Sequence, residues 1–363
     1  MTINSSGNFV DADAFPDSML PAVGTANDRV GAAAFAHLLS TLRPLDLVFV
    51  QNDLATTHLA AGYVKSLRER GAALPPIIHY FPVDCAVRPD YSGMLEVADV
   101  NVTCTAFGQS ATTKAFPNRA VLVIPHGIDT RAFRPLPERA AVRPAVRRAL
   151  GVAADVTLIC SVASNNVRKD LPRTLAAFAE YRATDDRSAV LYLHTRAFAN
   201  GIDLNAAAAE LGLVVGRDVV FPPNYHPLVG IADSAMNELY NACDVCFTTT
   251  LGEGWGLPIT EAMAAGLPVV APRHSSLDEL GGQGRAVLYD CDERIWVDNS
   301  GYRPLATMSK TVAALRRSLS MSDGARAEMV SAALEFARSL DWSLVAPRWL
   351  SLVDSVLDRG AAC

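Results

Sequence analysis

The stretch LGEGWGLPITEAMAAGLPVVAP (residues 251–272) sets two glutamates eight positions apart across a glycine-rich loop and a predicted helix. The pattern predicts Glu253 in the loop and Glu261 in the helix. Glycines let a backbone come close to a ligand, and Pro258 suits the first helical position, where its missing N–H costs nothing. Gly266 is predicted to end the helix as a C-terminal cap. The stretch therefore predicts a tight loop, a short helix and an apolar strand in succession.

The two carboxylates suit the binding of a sugar nucleotide. A carboxylate accepts two hydrogen bonds side by side, which matches neighbouring hydroxyls on a sugar or a ribose. Amides at the helix start could receive phosphate or hydroxyl oxygens of the same ligand. The alternative is a buried helix with a capping glutamate. The coincidence of three glycines, a proline, two glutamates and a following apolar strand favours the ligand site.

The same stretch resembles the Glu-x7-Glu signature of retaining GT-B glycosyltransferases of the group 1, family 4-like type, which include glycogen synthases and bacterial mannosyltransferases. The resemblance runs in order from about Asp46 to the C-terminus, and it implies an α/β fold of two Rossmann-like domains whose parallel sheets face a cleft. Three further stretches carry it: VIPHGIDTRAFRP (123–135), similar to the turn into the domain linker; LICSVASNNVRKDLPRTLAAFAEY (158–181), similar to the first strand, phosphate loop and helix of the nucleotide-binding domain; and MNELYNACDVCFTTT (236–250), similar to the helix and strand before the glutamate loop.

Length and periodicity agree with two domains. A chain of 363 residues is long for one domain, and its apolar strands alternate with helical stretches such as 57–71, which indicates parallel sheets buried on both faces. We expect an N-terminal acceptor-side domain at 1–140, completed by a C-terminal helix at 343–360, and a nucleotide-sugar-binding domain at 151–340. The boundary is predicted at 135–151. Strands are predicted at 45–51, 75–81, 100–105, 120–125, 155–162, 189–195, 218–223, 244–249 and 267–272.

The N-terminal part departs from the family pattern. Only 45 residues precede Asp46, and they contain no GxGG motif, although members of this family usually have a strand ending in a Gly-rich loop there. We therefore expect a shortened N-terminal domain, which bears on acceptor binding more than on donor binding.

The resemblance implies roles for the site residues. Lys169 matches the family's lysine, and with Arg168 it would stabilise the leaving diphosphate; the alternative is a solvated Arg-Lys pair that caps a loop. Glu253 would contact the hydroxyls of the transferred sugar, and Glu261 those of the ribose. Retention in this family is ascribed to front-face attack, so no protein nucleophile is expected. Donor binding would be completed by residues of the two loops, namely Gly254, Trp255, Gly256, Leu257, Asn165 and Asn166.

Histidines and a carboxylate give weaker signals. His79 and Asp84, in IIHYFPVD, are candidate catalytic residues of the first domain, because the family often places a histidine near the sugar; a strand-end histidine without that role is the alternative. His126 and His274 are weaker candidates still. Glu279 is expected to cap a helix rather than touch the nucleotide.

Composition narrows the class of protein. The content of 50% hydrophobic and 19% charged residues is that of a well-cored globule. Without a signal-peptide core or a long apolar run, a cytoplasmic protein is expected, with peripheral attachment to a membrane left open. Seven scattered cysteines do not suit a disulfide framework, and the lone pair Cys243 and Cys246 is expected to be buried rather than to bind zinc.

A basic cluster begins just before the predicted linker and runs through it. Such a run could face an anionic acceptor, lipid phosphates or nucleic acid, although the solvated face of a linker and helix is the expected interpretation. Its members are Arg131, Arg134, Arg139, Arg143, Arg147 and Arg148, opposed by Glu138.

Three functional hypotheses follow. The first is a retaining hexosyltransferase that uses a UDP-, GDP- or ADP-sugar as co-substrate, needs no metal or other cofactor, and transfers to a glycan, a lipid, a small molecule or, less expected, a nucleic acid. The second is a nucleotide-sugar-binding protein without transferase activity. A PLP-dependent phosphorylase is disfavoured, because the chain is much shorter than those enzymes.

Overall fold

The computed structural model describes residues 2–4, 19–21, 31–41, 45–223, 225, 230–297 and 301–361. Most of the segment before Asp46, on which the expectation of a shortened domain rests, lies outside the described residues. The chain divides into two compact units, the first formed by Met1–Pro125 with Ala346–Cys363 and the second by His126–Val345.

The division between the units falls at residue 125, before the predicted boundary at 135–151. The residues in between pack on the second unit. Ile128 donates its N–H to the Leu340 carbonyl over 2.9 Å, and the ring of Phe133 lies 6.3 Å from that of Tyr240. These contacts make the predicted linker part of the second unit's own structure.

The first unit contains a four-stranded parallel sheet with the order β3-β4-β5-β6. Its strand β4 (Ile77–Phe81, sequence IIHYF) is buried at every position, as expected for a strand covered on both faces. The side chain of Asp53 caps the helix after β3 by accepting the Thr56 N–H. The remaining described elements are β1 (Thr2–Asn4) and β2 (Met19–Pro21), which pair in parallel with each other, α1 (Ala32–Thr41), β3 (Val48–Gln51), α2 (Leu54–Glu69), α3 (Gly93–Val97), β5 (Val100–Thr103), α4 (Ala106–Ala115) and β6 (Leu122–Val123).

The second unit is built on a six-stranded parallel sheet with the order β11-β8-β7-β12-β13-β14. Strands β7 (Thr157–Val162) and β12 (Val245–Phe247) lie side by side at its centre, with Cys160 opposite Cys246. Because parallel strands end at the same sheet edge, the loops after β7 and β12 leave the sheet as neighbours. This adjacency positions the candidate site.

Further elements complete the second unit. Side chains of β7, β8 and β12 share one apolar core with the helices α6, α7 and α11. These elements are α5 (Arg139–Ala149), α6 (Leu171–Ala183), β8 (Ala189–His194), β9 (Phe198–Ala199), β10 (Ile202–Asp203), α7 (Leu204–Glu210), β11 (Val219–Val220), α8 (Asp233–Ala242), α9 (Leu257–Ala264), β13 (Val269–Arg273), α10 (Ser275–Gly281), β14 (Val287–Asp290), β15 (Glu293–Val297), β16 (Gly301–Leu305), α11 (Met308–Leu319) and α12 (Asp323–Ser339); α13 (Trp342–Ala361) begins in this unit and continues into the first.

The predicted strands all coincide with observed ones, whereas β14 and the hairpins β9-β10 and β15-β16 were not predicted. The hairpin β15-β16 is antiparallel. Four of the five residues of β15 are exposed, so this strand lacks the buried apolar run on which the prediction relied.

The expectation of a solvated basic face is wrong for Arg143 and Arg147, whereas Arg131, Arg134 and Arg148 are exposed as expected. Arg147 is buried, and its guanidinium lies 2.6 Å from Asp244, which also pairs with Arg143 over 2.6 Å. Arg139 donates to the Asn241 carbonyl at the end of α8 over 2.9 Å. Arg139, Arg143 and Arg147 therefore fasten α5 to the end of α8 and to the start of β12.

The CxxC pair is buried as expected, with Cys243 at the end of α8 and Cys246 in β12. The described part of the chain contains no group of three or more metal-ligating side chains that could hold a metal ion. No described helix is both long and apolar enough to cross a membrane.

Candidate active site

The glutamate loop connects β12 to α9. Glu253 lies in this loop and is only 8% exposed, while Glu261 lies within α9, as the spacing predicts. Gly256 and Gly266 have φ angles of 108° and 74°, in the region that favours glycine, so both ends of the helix require the residue found there. Pro258 is the second helical residue rather than the first, since α9 begins at Leu257.

Two cations hold the carboxylate of Glu253. The Lys169 ammonium contacts Oε1, and an Arg168 guanidinium nitrogen lies 3.1 Å from Oε2. The Lys169 and Glu253 side chains are 12% and 10% exposed, so the lysine is not solvated, whereas the Arg168 side chain is 32% exposed. The loops after β7 and β12 thus meet through a partly buried ion triad.

The backbone between β7 and α6 presents the two cations. Val167–Lys169 form one 3₁₀ turn, which Asn166 caps by accepting the Lys169 N–H over 3.2 Å. Asp170 follows with a φ of 46°, and its carbonyl accepts the Thr249 hydroxyl over 2.9 Å. A second tie runs from the Leu251 N–H to the Arg168 carbonyl over 2.7 Å. These bonds fix the cation loop to the glutamate loop.

Asn165 has a structural role in this conformation. Its side chain is buried, and its amide nitrogen faces the Ile202 carbonyl at 3.1 Å and those of Arg196 and Ala197 at 3.3 and 3.4 Å. The side chain therefore holds the hairpin β9-β10 against the cation loop, whereas Asn166 lies at the start of the 3₁₀ turn.

Glu261 sits beside the hydroxyl of Tyr240, which donates to its Oε2 over 2.8 Å. Burial raises the pKa of the Glu261 carboxyl, an effect that the Tyr240 hydrogen bond partly opposes. Trp255 is buried, with its ring 5.7 Å from that of His126, whereas Leu257 is exposed. The segment between the two glutamates therefore has one buried side chain, Trp255, and one accessible side chain, Leu257.

The start of α10 supports the glutamate loop. Sequence reasoning missed this support. The Ser276 hydroxyl lies 2.9 Å from the Glu253 carbonyl and 2.6 Å from that of Trp255. Glu279 lies inside α10, so the predicted helix cap is wrong; His274 stands at the cap position. A pair of serines a few residues after a predicted strand at the same sheet edge is the signal that could have pointed here.

The histidine and aspartate candidates lie in the first unit, and the structure gives His79 no exposed surface. The His79 ring lies within β4, with Nδ1 3.1 Å from Asn101 Oδ1, and stacks on Phe81 with 4.7 Å between ring centroids. Burial lowers the pKa of His79 to about 4. His79 is therefore a neutral core histidine in this conformation, while Asp84 lies in the loop after β4, partly exposed.

Comparison with protein families identifies the class to which this site belongs. Residues 156–298 match the family model described as "Glycosyl transferases group 1", which spans the cation loop and the glutamate loop. The matched residues all lie in the second unit, whose cation loop and glutamate loop are thus similar to those of a group 1 glycosyltransferase domain.

Named relatives match a longer stretch. An MMP alpha-(1->4)-mannosyltransferase of Mycolicibacterium hassiacum is 30% identical over 247 residues, covering 66% of this chain and 50% of the relative. A D-inositol 3-phosphate glycosyltransferase of Xylanimonas cellulosilytica is 29% identical over 241 residues, covering 66% and 52%. The chain thus spans about half the length of the curated relatives it matches.

Solved structures show the same fold over most of the chain. Sucrose-phosphate synthase from Thermosynechococcus elongatus superposes with a TM-score of 0.69 at 18% identity, covering 90% of this chain and 77% of that one. Anabaena HepE, solved in complex with UDP and glucose, superposes with a TM-score of 0.69 at 18% identity, covering 93% and 86%. The fold is that of the GT-B glycosyltransferases.

Proposed function

We propose that this protein is a retaining glycosyltransferase that moves a hexose from a nucleoside diphosphate sugar to a hydroxyl group of an acceptor. The observation that carries the proposal is the triad of Glu253, Lys169 and Arg168, which joins two loops at the carboxyl edge of a parallel sheet. Ligands of open α/β folds bind at this edge. The match of the surrounding segment to the group 1 glycosyltransferases supports the same chemistry.

The cations suit the leaving group. As the bond between the anomeric carbon and the diphosphate oxygen breaks, negative charge develops on the phosphate. Lys169 and Arg168 would stabilise that charge from a partly buried position, where a fixed charge is worth more than in water. The bond to the acceptor oxygen would form on the same face of the sugar, and the acceptor proton would pass to the leaving diphosphate. This route needs no protein nucleophile and no metal or other cofactor.

The glutamates suit the two polyols of the donor. Glu253 would accept hydrogen bonds from the hydroxyls of the transferred sugar, held at its position by the two cations. Glu261 receives the Tyr240 hydroxyl on Oε2, and the ribose hydroxyls would bind at its Oε1. The backbone of Gly254, Trp255, Gly256 and Leu257 leads from one carboxylate into the helix that carries the other.

A UDP-linked hexose is the first donor to test, because HepE, which shares the fold, was solved with UDP-glucose. A phosphorylated polyol is the first acceptor to test, because several relatives are D-inositol 3-phosphate glycosyltransferases. GDP- and ADP-linked sugars belong in the same panel.

The test is incubation of the protein with this donor panel, following release of the nucleoside diphosphate. We expect slow hydrolysis of one donor, abolished in Lys169→Ala and unchanged in Arg148→Ala, an exposed residue outside the site. Donor binding without hydrolysis in the presence of any acceptor would instead support a nucleotide-sugar-binding protein. If the protein neither binds nor hydrolyses any donor, the assignment of the donor site is contradicted.

A further inference from the structure

Ser275, the first residue of α10, contacts the backbone of Glu253 and has an unusual backbone conformation. Ser275 has a φ of 49°, in the left-handed region that serine rarely adopts. Its hydroxyl lies 3.1 Å from the Glu253 amide nitrogen, from which it accepts a hydrogen bond. A non-glycine residue persists in such a conformation only where its surroundings hold it there. Here the hydroxyl itself supplies one of the contacts.

His274 directs that hydroxyl. Its Nε2 lies 3.0 Å from the Thr250 carbonyl, and its Nδ1 lies 3.0 Å from the Ser275 hydroxyl oxygen. A carbonyl only accepts, so Nε2 carries the proton, and Nδ1 of the neutral ring is then an acceptor. Burial lowers the pKa of His274, which favours this neutral ring. The Ser275 O–H therefore donates to Nδ1, leaving its oxygen to accept from Glu253.

We propose that His274 and Ser275 are positioning residues of the transferase site. The neutral ring orients the Ser275 hydroxyl, and this hydroxyl holds the backbone of Glu253 so that the carboxylate meets Lys169 and Arg168. The contacts run from the Thr250 carbonyl to His274, from His274 to Ser275, and from Ser275 to the Glu253 amide, so they start and end in the glutamate loop. The inference rests on the proposed function, because the positioned carboxylate is the one assigned to the sugar.

Two substitutions of Ser275 separate positioning from simple stability. Ser275→Ala and Ser275→Gly remove the same hydroxyl, but glycine adopts a positive φ without strain and alanine does not. We expect Ser275→Gly to melt at a higher temperature than Ser275→Ala, and both to lose about 10- to 100-fold in donor turnover, the effect of misplacing a catalytic group. The KM for the donor should change less than kcat. Turnover of Ser275→Gly near that of the wild type would overturn the proposal.

A matched control lies at Gln283, an exposed residue outside the site whose φ is 55°. The pair Gln283→Ala and Gln283→Gly should show the same order of melting temperatures as the Ser275 pair. Their turnover should equal that of the wild type. If turnover in these controls falls with melting temperature, activity follows stability, and the positioning role is lost.

Substitutions of His274 test the direction of the hydrogen bonds. Asparagine offers an oxygen acceptor near the position of Nδ1, whereas glutamine offers a donor near the position of Nε2. We expect His274→Asn to retain at least tenfold more turnover than His274→Gln. Equal activities would overturn the inferred orientation of Ser275.

Lys169→Ala, measured in the same assay, separates this inference from the proposed function. If Lys169→Ala is inactive while the Ser275 and His274 variants keep full turnover, only the positioning role fails. If Lys169→Ala keeps full turnover, the donor site itself is wrongly assigned.

Discussion

The carboxylate of Glu253 is held by two cations from one short turn; Glu253 and Lys169 have little access to water, and Arg168 is partly exposed. Such a buried ion group is a weak source of stability, because removing charges from water costs about as much as their attraction returns. A site that must bind a charged diphosphate nevertheless needs cations in a place that screens them little. We therefore interpret the triad as a functional arrangement, kept for the ligand rather than for the fold.

Removing either partner of the triad should affect turnover strongly. Lys169→Ala and Glu253→Ala are each expected to lose roughly 100- to 1000-fold in turnover, the scale for one transition-state stabiliser. Glu253→Ala should also lower the free energy of unfolding by about 3 kcal/mol, because Lys169 is left buried without this carboxylate. Donor hydrolysis and urea unfolding measure the two effects. Full turnover in both variants, with folding intact, would contradict the site assignment.

Glu261 should make donor affinity depend on pH. Ribose hydroxyls donate to the ionised carboxylate, whereas burial raises the pKa of Glu261 and so favours its protonated form. Donor affinity is therefore expected to rise as pH increases from the ordinary value of 4.5 through the raised pKa, and then to level off. Titration calorimetry at several pH values measures this.

The variant Glu261→Gln provides the control for that measurement. It should bind the donor about 10- to 100-fold more weakly at neutral pH, which corresponds to the roughly 1.5–3 kcal/mol of a charged hydrogen bond, and without the rise with pH. The raised pKa means that the wild-type carboxyl stabilises the fold at low pH and that this contribution is lost as pH rises through the raised value. Glu261→Gln should therefore gain stability relative to the wild type as pH increases. An unchanged difference in stability between pH 5 and pH 8 would contradict this.

At the scale of elements, the central parallel strands and the glutamate helix could be predicted from sequence, because apolar runs and glycine-proline punctuation are local signals. The meeting of Lys169 with Glu253 followed from the resemblance, which placed both at the donor. The contacts of Ser275 and Ser276 with the backbone of the glutamate loop could not be predicted from local pattern, because they depend on which strand ends lie side by side. The same holds for Asp244, whose two arginine partners lie about 100 residues away in the chain.

The ion pairs and hydrogen bonds that join α5 to the start of β12 should contribute several times more to the free energy of unfolding than an exposed arginine does. Arg147→Ala removes a buried partner of Asp244 and the donor to four backbone carbonyls, so we expect it to lower the free energy of unfolding by about 3 kcal/mol. Arg148→Ala, at the neighbouring exposed position, should change it by no more than about 0.5 kcal/mol. Urea unfolding of the pair decides this. Equal effects of the two substitutions would mean that the contacts of Arg147 stabilise the fold no more than the exposed Arg148 does.

At the scale of the whole molecule, the two units contain three buried histidines, His79, His194 and His274, and the half-buried His126. Burial lowers the pKa values of His126, His194 and His274 and brings that of His79 to about 4. A lowered histidine pKa means that the unfolded chain binds protons first on acidification. Stability is therefore fully present above pH 6.5, the ordinary value, and falls as pH decreases towards 4.

We expect His79 alone to account for about 3 kcal/mol of this loss by pH 4, at 1.36 kcal/mol per pKa unit. The variant His79→Leu should show a flatter dependence of unfolding free energy on pH than the wild type between pH 6.5 and 4. Urea unfolding across this range measures the slope. Parallel curves for the two proteins would contradict a buried, neutral His79.

The central claim is that Lys169 and Glu253 form the donor site of a glycosyltransferase. The most direct measurement is the rate at which wild type and Lys169→Ala release nucleoside diphosphate from the panel of UDP-, GDP- and ADP-sugars. The account predicts release from one donor by the wild type and a rate lower by roughly 100-fold or more in the variant. Equal rates in the two proteins, or no release from any donor by the wild type with or without acceptor, would contradict it.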